Sequence, residues 1–238
     1  MHMRMTTRQV ERMIVYEDEE ILVVHKPPFV AVETKNIRQQ DLISLLTNRR
    51  AAKGEPGMIY PVHRLDQPVE GLLVLARTKQ AAAQLARSMA EQEFSKEYYA
   101  VVQGVTEDSG TLIHMLQRDG RTNTSSVVPE GEAAGATEAK EARLSYERLA
   151  IKHEKSLLRI VLDTGRHHQI RVQFAAIGHP LVGDVKYGAS PVSEDRQPLA
   201  LCSCRLCFVH PKTGERMEFH ATPSGAGFAE FASELAAL

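Results

Sequence analysis

His63-Arg64-Leu65-Asp66 stands directly before the apolar run at residues 71–76. A carboxylate placed there can act as a nucleophile or a base if its ionisation and position are controlled. Control of that kind needs a partner cation and a dry, fixed setting. The competing reading is a strand-edge aspartate paired with a surface arginine. A second stretch, "SKEYYAVVQG", reads as a strand. Lys96, Tyr98 and Ala100 would then share one face, and Tyr99 and Val101 the other. One tyrosine can line a cleft while its neighbour joins the core.

A third stretch, "TGRHHQIRVQFAAIG", reads as a helix capped by Thr164 and ended by Gly178. Ile170, Phe174 and Ile177 would form its apolar stripe. His167 and Arg171 stand at i and i+4 on another face. Arg171 would lie beside the buried stripe, where a guanidinium needs a carboxylate. Asp66 is the candidate partner, and a snorkelling surface arginine is the alternative. His167 and His168 do not suggest a metal site, because adjacent helical positions point about 100° apart. In "LCSCRLCFVH", Cys202 and Cys204 share one strand face and Cys207 takes the other. A zinc site would need a turn there, so buried structural cysteines are expected.

The elements that must position these residues are mostly strands. "MIVYEDEEILVVHKPP" predicts two short strands around an acidic turn, stopped by Pro27 and Pro28. Residues 40–48 predict a short helix with Leu42, Leu45 and Leu46 on one side. "GLLVLA" predicts a strand buried on both faces. "TKQAAAQLARSMAEQEF" predicts a helix with Thr78 at its N-cap. Residues 106–140 predict one strand near "TLIHM" within a long loop. "ARLSYERLA" and "SLLRIVLD" predict paired strands, residues 179–198 a loop, "LALCSCRLCFVHP" and "ERMEFHA" a closing hairpin, and "AGFAEFASELAAL" a last helix. Strands outnumber helices and do not alternate with them, which predicts an α+β fold with a mostly antiparallel sheet. Residues 1–12 read as a polar tail, and residues 13–238 as one catalytic domain.

The 238 residues carry a formal net charge of −1, unlike a dedicated electrostatic nucleic-acid binder, although a local basic patch stays open. Three cysteines argue against a secreted disulfide scaffold. No apolar run nears the ~20 residues of a bilayer span, and the start has no signal-peptide core. A cytoplasmic protein that does not enter the membrane is expected.

Three of these segments together resemble the signature motifs of the RluA family of pseudouridine synthases. They are "HRLDQPVEGLLVLA", "KEYYAVV" and "GRHHQIRVQFAAIGHPLVGDVKYG". The likeness extends over "IVYEDEEILVVHKP" and "LCFVHPKTGERMEFHATP", from Met13 to Pro223. It implies the pseudouridine synthase fold, a central mixed sheet flanked by helices with the active-site cleft across it. It implies isomerisation of a uridine in structured RNA, ribosomal or transfer. Breaking one ribose C1′ bond and making another without net redox change needs no cofactor or metal. A monomer is expected, and the short polar tail leaves no room for a separate N-terminal RNA-binding module. Asp66 would be the catalytic aspartate, Tyr98 would stack on the base and assist proton removal, and Arg171 would ion-pair with Asp66. Arg64 would take the place of the flipped uridine, and Ile170 would pack beneath the base. His63, Leu65, Lys96, Arg166, His168 and Gln169 would complete the substrate-binding set. The family usually carries threonine or serine followed by serine where Val69-Glu70 stands, and often histidine-leucine where Gln173-Phe174 stands. The resemblance places both departures near the RNA cleft. The rival functions are an RNA-binding protein of the same fold with lost catalysis, and a hydrolase using Asp66 with His167 or His168. Glycoside hydrolysis normally needs a second carboxylate, which no sequence neighbour of Asp66 supplies.

Overall fold

The computed structural model describes residues 5–238 except 37, 56, 92, 130–137 and 189–197. In chain order the elements begin with α1 (Thr7–Met13), β1 (Ile14–Glu17), β2 (Ile21–Lys26), α2 (Leu42–Ala52), β3 (Tyr60–Pro61) and β4 (Glu70–Ala76). There follow α3 (Lys79–Ala90), β5 (Ser95–Gln103), β6 (Ser109–Asp119), β7 (Thr124–Val127), β8 (Lys140–Lys152) and β9 (Lys155–Leu162). The chain closes with α4 (Gln169–Ala176), β10 (Leu201–Val209), β11 (Arg216–His220), a 3-10 turn (Ala226–Phe231) and α5 (Ala232–Ala236). The result is the expected α+β class. Among the described residues, every strand pair within the two units below is antiparallel except β4–β10.

The chain divides into two compact units, the first formed by residues 1–96 and 202–221. Its strands run in the order β1-β2-β4-β10-β11, with β3 also paired to β4. β4 is buried along its whole length, as its unbroken apolar run requires. Ile21, Val23, Leu72, Val74, Leu206 and Phe208 form the core of this unit, covered by Ala81 and Leu85 of α3. Thr78 caps α3 and Asp41 caps α2, each side chain accepting a backbone N–H. Gly71 sits where β4 meets β10. Its φ is +118°, and a Cβ there would lie 2.4 Å from the backbone N and O of Ser203. Only glycine fits this crossing.

The second unit comprises residues 97–201 and 222–238. Its strands run β5-β9-β8-β6-β7. α4 packs Val172 onto Leu116 and Ala142, with Tyr187 and Val127 alongside, and Phe174 meets Tyr146 edge to face. Lys152 fastens the C-terminal helical turns by donating to the Glu230 carbonyl and the Glu234 carboxylate.

Several expectations need correction. Residues 7–13 are helical, closed by a Thr6–Gln9 capping box, where only a polar tail is predicted. The strand expected near residues 111–115 is β6, but the loop expected around it also holds β7, whose Thr/Ser-rich sequence lacks an apolar signal; residues 130–137 lie outside the described residues. Part of the predicted loop at 179–198 lies outside them too. The last helix is split into a 3-10 turn and α5. The third motif's helix begins at Gln169, not after Thr164. Thr164 instead binds the backbone of Arg143 and the Gln169 side chain.

Candidate active site

The first unit positions Asp66. The segment 62–69 joins β3 to β4 and alternates in burial. His63 and Leu65 face inward, Arg64 is exposed, and Asp66 is half-buried. A turn closed by the Val69 N–H on the Asp66 carbonyl ends the segment. His63 accepts a hydrogen bond at Nε2 from the Val74 N–H, 3.3 Å away, which ties the motif to the middle of β4. Its ring meets Phe94 edge to face, and Lys96 lies over the same phenylalanine. Burial, then the Lys96 charge, hold the His63 pKa well below the ordinary histidine value, so it is neutral at pH 7. Lys96 is itself pushed down by burial.

Beneath the Asp66 loop lies a residue that the sequence reading did not select. Lys26 ends β2 and its side chain is completely buried. Its ammonium donates to the carbonyls of Pro27, Val30 and Gln67 at 3.0, 2.8 and 3.2 Å. Gln67 follows Asp66 directly, and its amide donates to the Phe29 carbonyl. The loop is therefore stitched twice to residues 26–30. Burial lowers the Lys26 pKa to about 7, against the opposing charges of Asp66 and Glu70. The available signal was a lysine closing the apolar strand "ILVVHK". Glu70 is buried. Gln173 and Phe174 are buried as well, and the Gln173 amide donates to the Leu112 and Ala142 carbonyls. These departures from the family pattern are packed interior positions.

The second unit holds Tyr98 and Arg171. Tyr98 is buried on β5, while Tyr99 stays half-exposed. Arg171 lies on α4 and is buried, as its place beside the stripe predicts; Ile170 and Phe174 are also buried, but Ile177 falls at the exposed C-cap. Within this unit Arg171 forms a two-pronged ion pair with Asp184, a partner the sequence reading did not assign. Nε donates to Oδ2 at 2.7 Å and Nη2 to Oδ1 at 2.8 Å. Burial works to raise the Asp184 pKa. The Arg171 bonds and charge, with the N–H groups of Lys186 and Tyr187, outweigh it and hold the carboxyl below its usual range.

His168 takes a left-handed conformation, φ +54°, immediately before α4. Because both histidines precede the helix, the helical i, i+4 relation of His167 to Arg171 does not hold. The two imidazoles stack with centroids 3.7 Å apart, not splayed as helical neighbours would be. His167 Nδ1 bonds Ser125 Oγ, and His168 Nδ1 bonds the Tyr187 hydroxyl. Arg166 is exposed and donates to the Glu141 carbonyl. The Gln169 side chain is taken up locally, accepting from Thr164 and Arg166 and donating to the Arg143 carbonyl. The three cysteines are buried along β10.

A family model described as RNA pseudouridylate synthase matches residues 20–176. "Ribosomal large subunit pseudouridine synthase D" of Vibrio cholerae is 34% identical over 87% of this chain and 66% of its own length. "tRNA pseudouridine synthase C" of Vibrio parahaemolyticus is 30% identical over 90% of this chain and 91% of its own. Among solved structures, "Human RNA Pseudouridylate Synthase Domain Containing 1" superposes with a TM-score of 0.72 at 29% identity, covering 89% of this chain and 82% of that one. Three motifs in order, the α+β architecture, and matches over most of the chain agree: the chain belongs to the RNA pseudouridylate synthase family, in its RluA branch.

Proposed function

We propose that this protein converts a uridine in structured RNA to pseudouridine, with Asp66 as the catalytic carboxylate. The observation that carries the proposal is the Asp66 loop. It joins an exposed Arg64 to a half-buried Asp66 on a segment stitched down by Lys26 and Gln67. The reaction breaks the bond from ribose C1′ to N1 of the uracil and makes one from C1′ to C5. The C5 proton is lost and N1 gains one, so there is no net redox change. A stacked base must first be extruded, at a cost of a few kcal/mol. Arg64, projecting from the loop, is suited to fill the vacated place, and an aromatic such as Tyr98 to stack on the base. The resemblance to the RluA family implies that Arg171 holds the catalytic aspartate. The protein acts as a cytoplasmic monomer and uses no cofactor. Its relatives' names include both ribosomal and transfer RNA enzymes. Mapping carbodiimide-reactive pseudouridines in cells with and without the gene identifies the substrate.

Asp66→Asn tests the assignment. On the RNA so identified, it should abolish pseudouridine formation and leave RNA affinity within a few-fold, because cations rather than Asp66 meet the phosphates. A near wild-type rate in the purified variant refutes the role.

A further inference from the structure

We propose that Asp184 is a positioning residue for the isomerisation, acting through Arg171; this rests on the functional reading above. A guanidinium on a flexible stem can rotate about its long axis and serve as a diffuse charge. Here that freedom is removed from two sides by one short loop. Asp184 grips the Nε and Nη2 edge at 2.7 and 2.8 Å, and neither side chain is more than 4% exposed. Two parallel N–H···O bonds fix the plane of the guanidinium as well as its place. The Tyr187 ring then lies against it, 5.2 Å from Cζ.

The loop is itself anchored. The N–H groups of Lys186 and Tyr187 donate to Asp184 Oδ1 at 2.9 and 3.2 Å, so the carboxylate cannot swing away. The Tyr187 hydroxyl accepts from the Ser125 N–H at 2.8 Å and bonds His168 Nδ1 at 2.7 Å. Lys186 Nζ donates to the Asn123 carbonyl at 2.7 Å. Asp184 is thus the fixed point between the β6–β7 hairpin and the arginine of α4. A snorkelling surface arginine needs none of this. A purely stabilising ion pair is an expensive choice too, since a well-packed apolar pair of the same volume is often as stable. The arrangement is explained if the direction of the guanidinium matters to the reaction. A misplacement of about 1 Å at a reacting centre can cost on the order of 100-fold in rate.

The test is single-turnover kinetics on the substrate RNA, in which the amplitude reports the folded fraction and the rate constant reports the chemistry. Asp184→Asn should lower the rate constant at least tenfold, with RNA affinity within about threefold of wild type. Asp184→Glu keeps the charge in the buried pair but lengthens the stem, so it decides the matter even if Asp184→Asn does not fold. Its rate constant should also fall at least tenfold. Adding Asp184→Glu to Arg171→Met should cause no further loss, since both act through one group. Rate constants within twofold of wild type in the folded variants overturn the inference, and so do losses that multiply in the double variant. Asp66→Asn is run beside them. If that variant stays active, the reading of the site has failed. If it is dead while Asp184→Glu is unimpaired, only the positioning role has failed.

Discussion

Replacing Lys26 by methionine should abolish a rise in stability between neutral and alkaline pH. The Lys26 side chain is completely buried, and its pKa is lowered from 10.5 to about 7, chiefly by desolvation. In the unfolded chain the amine keeps its ordinary pKa. Between the two values the unfolded state binds a proton that the folded state has released, so stability increases with pH across that window. At pH 7 and below, the folded protein carries the cost of a buried ammonium. At about 1.4 kcal/mol per pKa unit, the whole interval from 7 to 10.5 corresponds to about 5 kcal/mol. Following the two titration curves from pH 7 to pH 9 gives a gain of about 2 kcal/mol in the wild type. Methionine has a similar length and no proton, so this part of the gain vanishes. Burial also keeps the His63 and Cys202 side chains uncharged, but they are common to both proteins and cancel in the comparison. Urea unfolding at pH 7 and pH 9 measures the four free energies. If wild type and Lys26→Met change in parallel between the two pH values, the ammonium is not the desolvated group that the hydrogen bonds to Pro27, Val30 and Gln67 describe.

Gly71→Ala should cost more than ~3 kcal/mol, because the new methyl collides with the Ser203 backbone at a φ that disfavours a side chain; a urea midpoint close to wild type would contradict the close approach of β4 and β10. Arg171→Met leaves Asp184 as a buried carboxylate without this cation, a loss of ~3–5 kcal/mol. An unchanged melting temperature would show that the pair contributes nothing to folding.

The sequence by itself determined the parts of this protein that local chemistry dictates. An unbroken apolar run made β4 a strand buried on both faces, and Thr78 before an alanine-rich stretch capped α3. Local chemistry left Asp66 open between a site carboxylate and a strand-edge aspartate; the resemblance to the RluA family, not its neighbours in sequence, gave it the proposed catalytic role. Arg171 was expected to be buried because it stands beside Ile170 and Phe174 on the helix. What the sequence left open depends on partners far along the chain. Hydropathy could not reveal β7, because its strand character comes from pairing with β6 and not from its own Thr and Ser residues. The start of α4 moved because His168 adopts a left-handed conformation, with its ring bonded to Tyr187, 19 residues away. Nothing near Lys26 in the sequence marks its burial; the tertiary structure folds the Gln67 carbonyl onto it, 41 residues along. Asp184 lay in a segment read as plain loop, yet it is the carboxylate gripping Arg171. The physical reason is common to all four. Periodicity and capping report on free energies within a few residues, whereas the partner of a buried charge is chosen by whichever distant group the closed fold brings within hydrogen-bonding reach.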